Sequence, residues 1–285
     1  MLRHIEITEC PRDAMQGWHR PIDTSEKVNY LKALLKVGFH SLDCGSFVSP
    51  KAIPQMADTA TVLSEISAET GTNKLLVIVA NERGGEQAVL QDKVTYLGFP
   101  FSISPTFQQL NTNSTIEESW QRVQRIYKLC RLHNKQLVVY ISMAFGNPYG
   151  DEYNAEIVYN WVNKMKELGV NTISLADTVG LSTPEQVFDI TKKVIDNSPG
   201  VNIGVHLHST PQMALAKIEA AYNAGCNKFD SAIGGIGGCP MAQNDLVGNI
   251  DTSTLLYFFQ DKQVQLEIDT EAYRNAQAIA ASIFY

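Results

Sequence analysis

The stretch TISLADTVGLSTPEQVFDITKKVIDNSPGVNIGVHLH, residues 172–208, reads as strand, helix, strand. Residues 172–176 and 201–207 are short, largely apolar runs of strand length. Between them, Ser182-Thr183-Pro184 offers a cap and a first-turn proline, and apolar residues then recur at helical spacing as far as Asn197. Two strands joined by a helical crossover make a parallel βα unit. The same alternation runs outward in both directions. Strand-like runs at 5–8, 41–44, 75–79, 94–101, 137–142 and 228–232 bring the total to eight. Helical patterns at 25–37, 54–67, 82–90, 116–133, 154–168, 212–224 and 253–260 accompany that at 184–197. Gly38, Gly169 and Gly225 stand just past such patterns, where a left-handed residue closes a helix. No Pro/Ser-rich linker interrupts the series. The reading is α/β: a single (β/α)8 TIM barrel over residues 1–285, with a loop at 233–250 and a helical C-terminal extension at about 261–285. A doubly wound open sheet is the structural competitor.

The formal charge of −7, with 44% hydrophobic and 19% charged residues, describes a soluble globular chain and excludes disorder. An acidic chain without a Lys/Arg run is ill suited to neutralise nucleic-acid phosphates or to lie on an anionic membrane. The start of the chain lacks the apolar core of a signal peptide, and its apolar runs fall short of the ~20 residues that span a bilayer, so a cytoplasmic location is expected. Five cysteines, an odd number without C-x-x-C spacing, read as reduced thiols.

In a barrel, chemistry sits at the carboxyl ends of the strands. Strand seven ends in His206-Leu207-His208, and residues two apart share a face, so both imidazoles point to the barrel mouth. They are metal ligands or a pair of hydrogen-bonded core histidines. Strand one ends in Pro11-Arg12-Asp13, which reads as a catalytic pair or as a surface ion pair after a proline turn. Asp43 after strand two and Asp177 after strand six are acid/base candidates, or else helix caps and salt-bridge partners. After strand eight, Gly234-Gly235-Ile236-Gly237-Gly238-Cys239 places four glycines in five positions, followed by a thiol. Glycine contributes nothing to packing and costs extra entropy on folding, so the loop is mobile or closely approached, and its thiol is a candidate for reactivity. Neither the P-loop pattern nor a dinucleotide fingerprint is present.

Pro11-Arg12-Asp13-Ala14-Met15-Gln16, Ser46-Phe47-Val48-Ser49-Pro50-Lys51, Pro54-Gln55-Met56-Ala57-Asp58, Asp177-Thr178-Val179-Gly180, His206-Leu207-His208 and Gly237-Gly238-Cys239-Pro240 follow one another along essentially the full chain. Together they resemble 3-hydroxy-3-methylglutaryl-CoA lyase, of the metal-dependent barrel lyases and synthases. The resemblance implies that Asp13, His206, His208 and Asn249 hold a divalent cation, Mg2+ or Mn2+. It also implies that Arg12, Asp43, Asp177, His206 and Cys239 are catalytic, and that Ser46 and Ser174 join Arg12 in binding substrate. An acyl-CoA thioester substrate, a homodimer and a place in leucine catabolism are further implications. The reaction the resemblance implies is a reverse Claisen cleavage of the 3-hydroxy-3-methylglutaryl thioester, or a close 3-alkyl analogue, to acetyl-CoA and acetoacetate or another 3-oxo acid. The chain departs from the family pattern at Thr8 and Asp43, where glutamate is usual, and at Gly17-Trp18-His19, Ser209 and Met241. Two rival readings are a condensing synthase on the same scaffold and a non-catalytic acyl-CoA-binding barrel. Synthases commonly carry an added C-terminal region for which eight βα units leave no room, and retention of Arg12, Asp13, both histidines and Cys239 speaks against a silent barrel.

Overall fold

The computed structural model describes residues 4–69, 73–238 and 247–285. Its strands are β1 (Glu6–Glu9), β2 (Ser41–Ser46), β3 (Lys74–Ile78), β4 (Val94–Ser102), β5 (Gln136–Ser142), β6 (Thr172–Asp177), β7 (Asn202–Leu207) and β8 (Lys228–Ser231). They pair in parallel in chain order, and β8 returns to β1, which closes the barrel and excludes the open sheet. The register sets His206 level with Ala176 and Asp230, and Thr8 level with Ser41 and Asp230.

The helices are α1 (Pro11–Gln16), α2 (Thr24–Leu34), α3 (Thr59–Ile66), α4 (Glu82–Val89), α5 (Pro105–Thr112), α6 (Ile116–Leu132), α7 (Ala155–Leu168), α8 (Pro184–Asn197), α9 (Pro211–Asn223), α10 (Thr252–Asp261) and α11 (Thr270–Phe284). Their ends follow the expected chemistry. Thr183 and Gln186 form a reciprocal capping box on α8, as Thr115 and Glu118 do on α6. Gly38, Gly169 and Gly225 take φ of +95°, +102° and +105°. Two short helices, α1 and α5, are absent from the sequence reading. Each begins with proline shortly after a strand, and α1, of six residues, is too short to display a 3.6-residue period. The pattern read at 54–67 divides into a 3₁₀ turn at Pro54–Met56 and α3.

The main core lies between strands and helices. Inside the barrel a second, smaller cluster joins Leu76, Ile78, Tyr96, Val138 and Tyr140, with Val48 against it. A Cβ on Gly98 of β4 would lie 2.6 Å from the Ile78 side chain and 3.1 Å from Leu76 and Tyr140, so glycine makes room for this packing. The remaining lumen, from β7 round to β2, is polar: Lys228 Nζ donates to Thr8 Oγ1 at 2.5 Å, and Thr8 Oγ1 is 3.0 Å from Ser41 Oγ. The barrel interior therefore has an apolar side and a polar side. As expected, a terminal helix, α11, packs outside the barrel against α2. Its Phe284 ring meets Trp18 at 5.2 Å and Tyr30 at 6.2 Å, and Arg20 Nη2 donates to Ile283 O. Among the described residues no helix is long and apolar enough to cross a membrane.

Candidate active site

Helix α1 opens at the carboxyl end of β1 and brings Arg12, Asp13 and Gln16 together, as its pitch requires. Arg12 Nη1 donates to Asp13 Oδ1 at 2.9 Å and to Gln16 Oε1 at 2.8 Å, while Gln16 Nε2 donates to Asp13 Oδ1 at 2.9 Å. Arg12 Nε donates to Asp43 Oδ2 at 3.0 Å, and Nη2 bonds the same oxygen. All three charged groups are buried. Burial works to raise the Asp13 pKa, but the Arg12 guanidinium, the two imidazoles and the Asn249 amide outweigh it and hold the carboxyl at about 2. At Asp43 burial wins over the same guanidinium and lifts the pKa to about 6.

On β7, His206 Nδ1 lies 3.2 Å from Asp230 Oδ2 and His208 Nδ1 lies 2.9 Å from Val247 O. A carboxylate and a carbonyl only accept, so both Nδ1 atoms carry hydrogen. The two Nε2 lone pairs then face one another across 3.2 Å, which is repulsive without a positive charge between them. Asp13 completes a group whose ligand atoms all lie within 4.8 Å of one another. Asn249 commits its amide hydrogens to Asp13 Oδ2 at 2.7 Å and Ile236 O at 2.9 Å, leaving its oxygen as acceptor. This donor set fits a divalent cation. Burial alone would lower the His206 pKa, but the Asp230 bond and charge raise it; at His208 burial and the His206 charge prevail and lower it. Gly237, at φ +110°, lies so close that a Cβ would sit 2.4 Å from Asn249 Nδ2 and 3.0 Å from Asp13 Oδ2. Close approach is thus one reason for glycine in this loop.

A cavity of about 220 Å³ opens here. Arg12, Asp13, Gln16, His206 and His208 line its polar side, and Val48, Ile78, Ala80, Pro100, Phe107 and Tyr140 its apolar side. The other sequence candidates lie apart from it. Asp43 stands behind Arg12. Asp177 accepts from Lys217 Nζ at 2.7 Å and from Ser182 Oγ at 2.5 Å, within a buried ion pair. Ser46 Oγ turns to Ile78 O and Val48 N, and the buried Ser174 hydroxyl has no hydrogen-bond partner among the described residues. Cys239 lies outside the described residues. Sequence reasoning did not find Gln16, Asp230 or Lys217. The helical spacing from Arg12 marks Gln16; no sequence signal joins Asp230 to His206 or Lys217 to Asp177.

A closed parallel barrel with a buried arginine, a carboxylate and paired imidazoles at one mouth is the framework of a barrel enzyme with a donor set that fits a cation. The chain matches the HMGL-like family model over residues 5–279 and belongs to that family, as a carbon–carbon lyase. It is 34% identical over 275 residues to the mitochondrial hydroxymethylglutaryl-CoA lyase of Homo sapiens, covering 96% of this chain and 84% of the relative. The 3-hydroxy-3-isohexenylglutaryl-CoA/hydroxymethylglutaryl-CoA lyase of Pseudomonas aeruginosa is 30% identical over 275 residues, covering 96% and 90%. Among solved structures, an HMG-CoA lyase of Acinetobacter baumannii in complex with coenzyme A and 3-methylmalate superposes with a TM-score of 0.90 at 28% identity, covering 99% of this chain and 91% of that one.

Proposed function

We propose that the protein cleaves 3-hydroxy-3-methylglutaryl-CoA, or a close 3-hydroxy-3-alkylglutaryl thioester, to acetyl-CoA and acetoacetate or the corresponding 3-oxo acid. The observation that carries this reading is the convergence of two imidazole Nε2 atoms and the Asp13 carboxylate beside the cavity-lining Arg12. Asp13, His206, His208 and Asn249 would hold Mg2+ or Mn2+, which when bound acidifies and orients the substrate's hydroxyl and carboxylate.

Arg12 binds the thioester oxygen. Its Nη1 hydrogens and Nε are committed to carboxylates and Gln16, and Nη2 keeps one N–H for the charge that develops when the C2–C3 bond breaks. Asp43, behind Arg12 and outside the cavity, fixes the guanidinium; with a pKa of about 6 it is suited to receive the hydroxyl proton through a relay. Asp177, held by Lys217, positions the ends of β6 and β7. Cys239 returns a proton to the enolate carbon. The apolar wall from Val48 to Tyr140 receives the substituent on C3. A reducing cytosolic setting and a homodimer complete the reading; Cys10, Cys44 and Cys130, all buried thiols, support the former.

The test is release of acetyl-CoA from a panel of 3-hydroxy-3-alkylglutaryl thioesters with added Mg2+ or Mn2+. Cation-dependent cleavage of at least one member is expected. Inertness of the whole panel, with metal binding intact, would overturn the assignment.

A further inference from the structure

Glu9, the last residue of β1, is fully buried. The alternation that turns Thr8 into the lumen turns Glu9 outward, beneath the junction of β8 and α10. Its Oε1 accepts from Ile233 N at 2.8 Å, and its Oε2 lies 2.6 Å from Thr252 Oγ1, which is 3.0 Å from Ser231 Oγ. Ile233 leaves β8 and Thr252 opens α10, so one carboxyl grips both ends of the segment that carries Asn249. Other bonds join those ends to each other: Ala232 N to Ile250 O at 3.0 Å, Thr252 N to Ala232 O at 3.2 Å and Gly234 N to Asp251 Oδ1 at 2.9 Å. Backbone pairing already ties the β8 end to β1, with Cys10 N donating to Ser231 O at 2.8 Å; Glu9 extends that tie to Ile233 and joins the α10 end to β1, the strand that leads through Cys10 into Arg12 and Asp13. Across this junction Asn249 Nδ2 meets Asp13 Oδ2 at 2.7 Å.

We propose that Glu9 is a positioning residue: by clasping Ile233 and Thr252 to β1 it holds Asn249 against Asp13. The role in cation binding rests on the ligand set proposed above; the clasp itself does not. Groups that fix the orientation of metal ligands typically affect metal affinity by 10- to 100-fold.

The experiment compares Glu9→Leu, Glu9→Gln and Thr252→Val in the full chain, with hydrogen exchange measured without added metal and Mn2+ binding measured by calorimetry. Glu9→Leu should speed exchange at residues 232–238 and 247–252 about tenfold while β3 to β6 keep their protection, and should weaken Mn2+ binding about tenfold. Glu9→Gln should restore both, because its amide accepts from Ile233 N and donates to Thr252. Thr252→Val should reproduce the Leu phenotype in part, and answers the question if Glu9→Leu does not fold. Wild-type exchange at both segment ends in folded Glu9→Leu or in Thr252→Val would overturn the clasp. Asn249→Ala separates the two readings: if it binds Mn2+ as the wild type does, the ligand assignment fails while the exchange result still decides the clasp.

Discussion

Arg12 stands between two buried carboxylates, and its removal does two things at once. On the proposed mechanism the thioester loses its cation, and Asp43 loses its partner. Arg12→Met should therefore lower kcat on the order of 10²- to 10³-fold. It should also cost about 3–5 kcal/mol of stability near pH 8, where Asp43 would be an uncompensated buried charge. The loss should shrink toward pH 5 as Asp43 takes a proton, and urea unfolding of both proteins at the two pH values checks this. Glu9 carries a pH signature of its own. Burial lifts its pKa from 4.5 to about 8, against the bonds from Thr252 and Ile233. The folded state then binds this proton more tightly than the unfolded chain, so the contribution is complete below pH 4.5 and is lost as pH rises toward 8. The stability difference between wild type and Glu9→Gln should fall steadily from pH 5 to pH 8. A constant difference over that range would show that Glu9 is not the group titrating.

At the scale of elements, β7 and the segment after β8 meet at the site: His208 pairs with Asn249, and Ser209 N donates to Gly248 O. His206→Ala and His208→Ala should each lower Mn2+ affinity, by calorimetry, while circular dichroism shows the barrel intact; undiminished binding by both variants would refute their ligand role. Cys239→Ala should cut kcat more than it changes KM, by about 10²- to 10⁴-fold, when chemistry limits turnover. Wild-type turnover under that condition would leave the thiol without a catalytic part. The βα rhythm and the strand-end residues were legible because strand alternation, helix periodicity and caps are local properties. Arg12, Asp13, His206 and His208 stood out for that reason, being polar groups where strands end. What was not legible depends on distant partners. No local feature of the sequence marks Lys217 of α9, which is buried and bound to Asp177, 40 positions away. Asp230 reads as an ordinary strand residue until the closed barrel sets it beside His206. Helix α1, of six residues, was hidden by brevity.

For the whole molecule, the outer helix α11 fastens the end of the chain to the segment that follows the site. Phe284 is 2% exposed and packed on Trp18 and Tyr30, so Phe284→Ala should cost about 3–5 kcal/mol in denaturant unfolding, with KM little changed in the folded fraction. The division of the lumen has a different consequence. Arg12, the carboxylates and the imidazoles come from one arc of the barrel, while Ile78, Pro100 and Tyr140 come from the opposite arc, on separate strands with separate packing. Under the proposed reaction, bond breaking and substrate choice are inherited through different parts of the sequence. A lineage could change the size of the accepted acyl group through substitutions at Ile78 or Ala80 alone, with its reaction type preserved at every intermediate step.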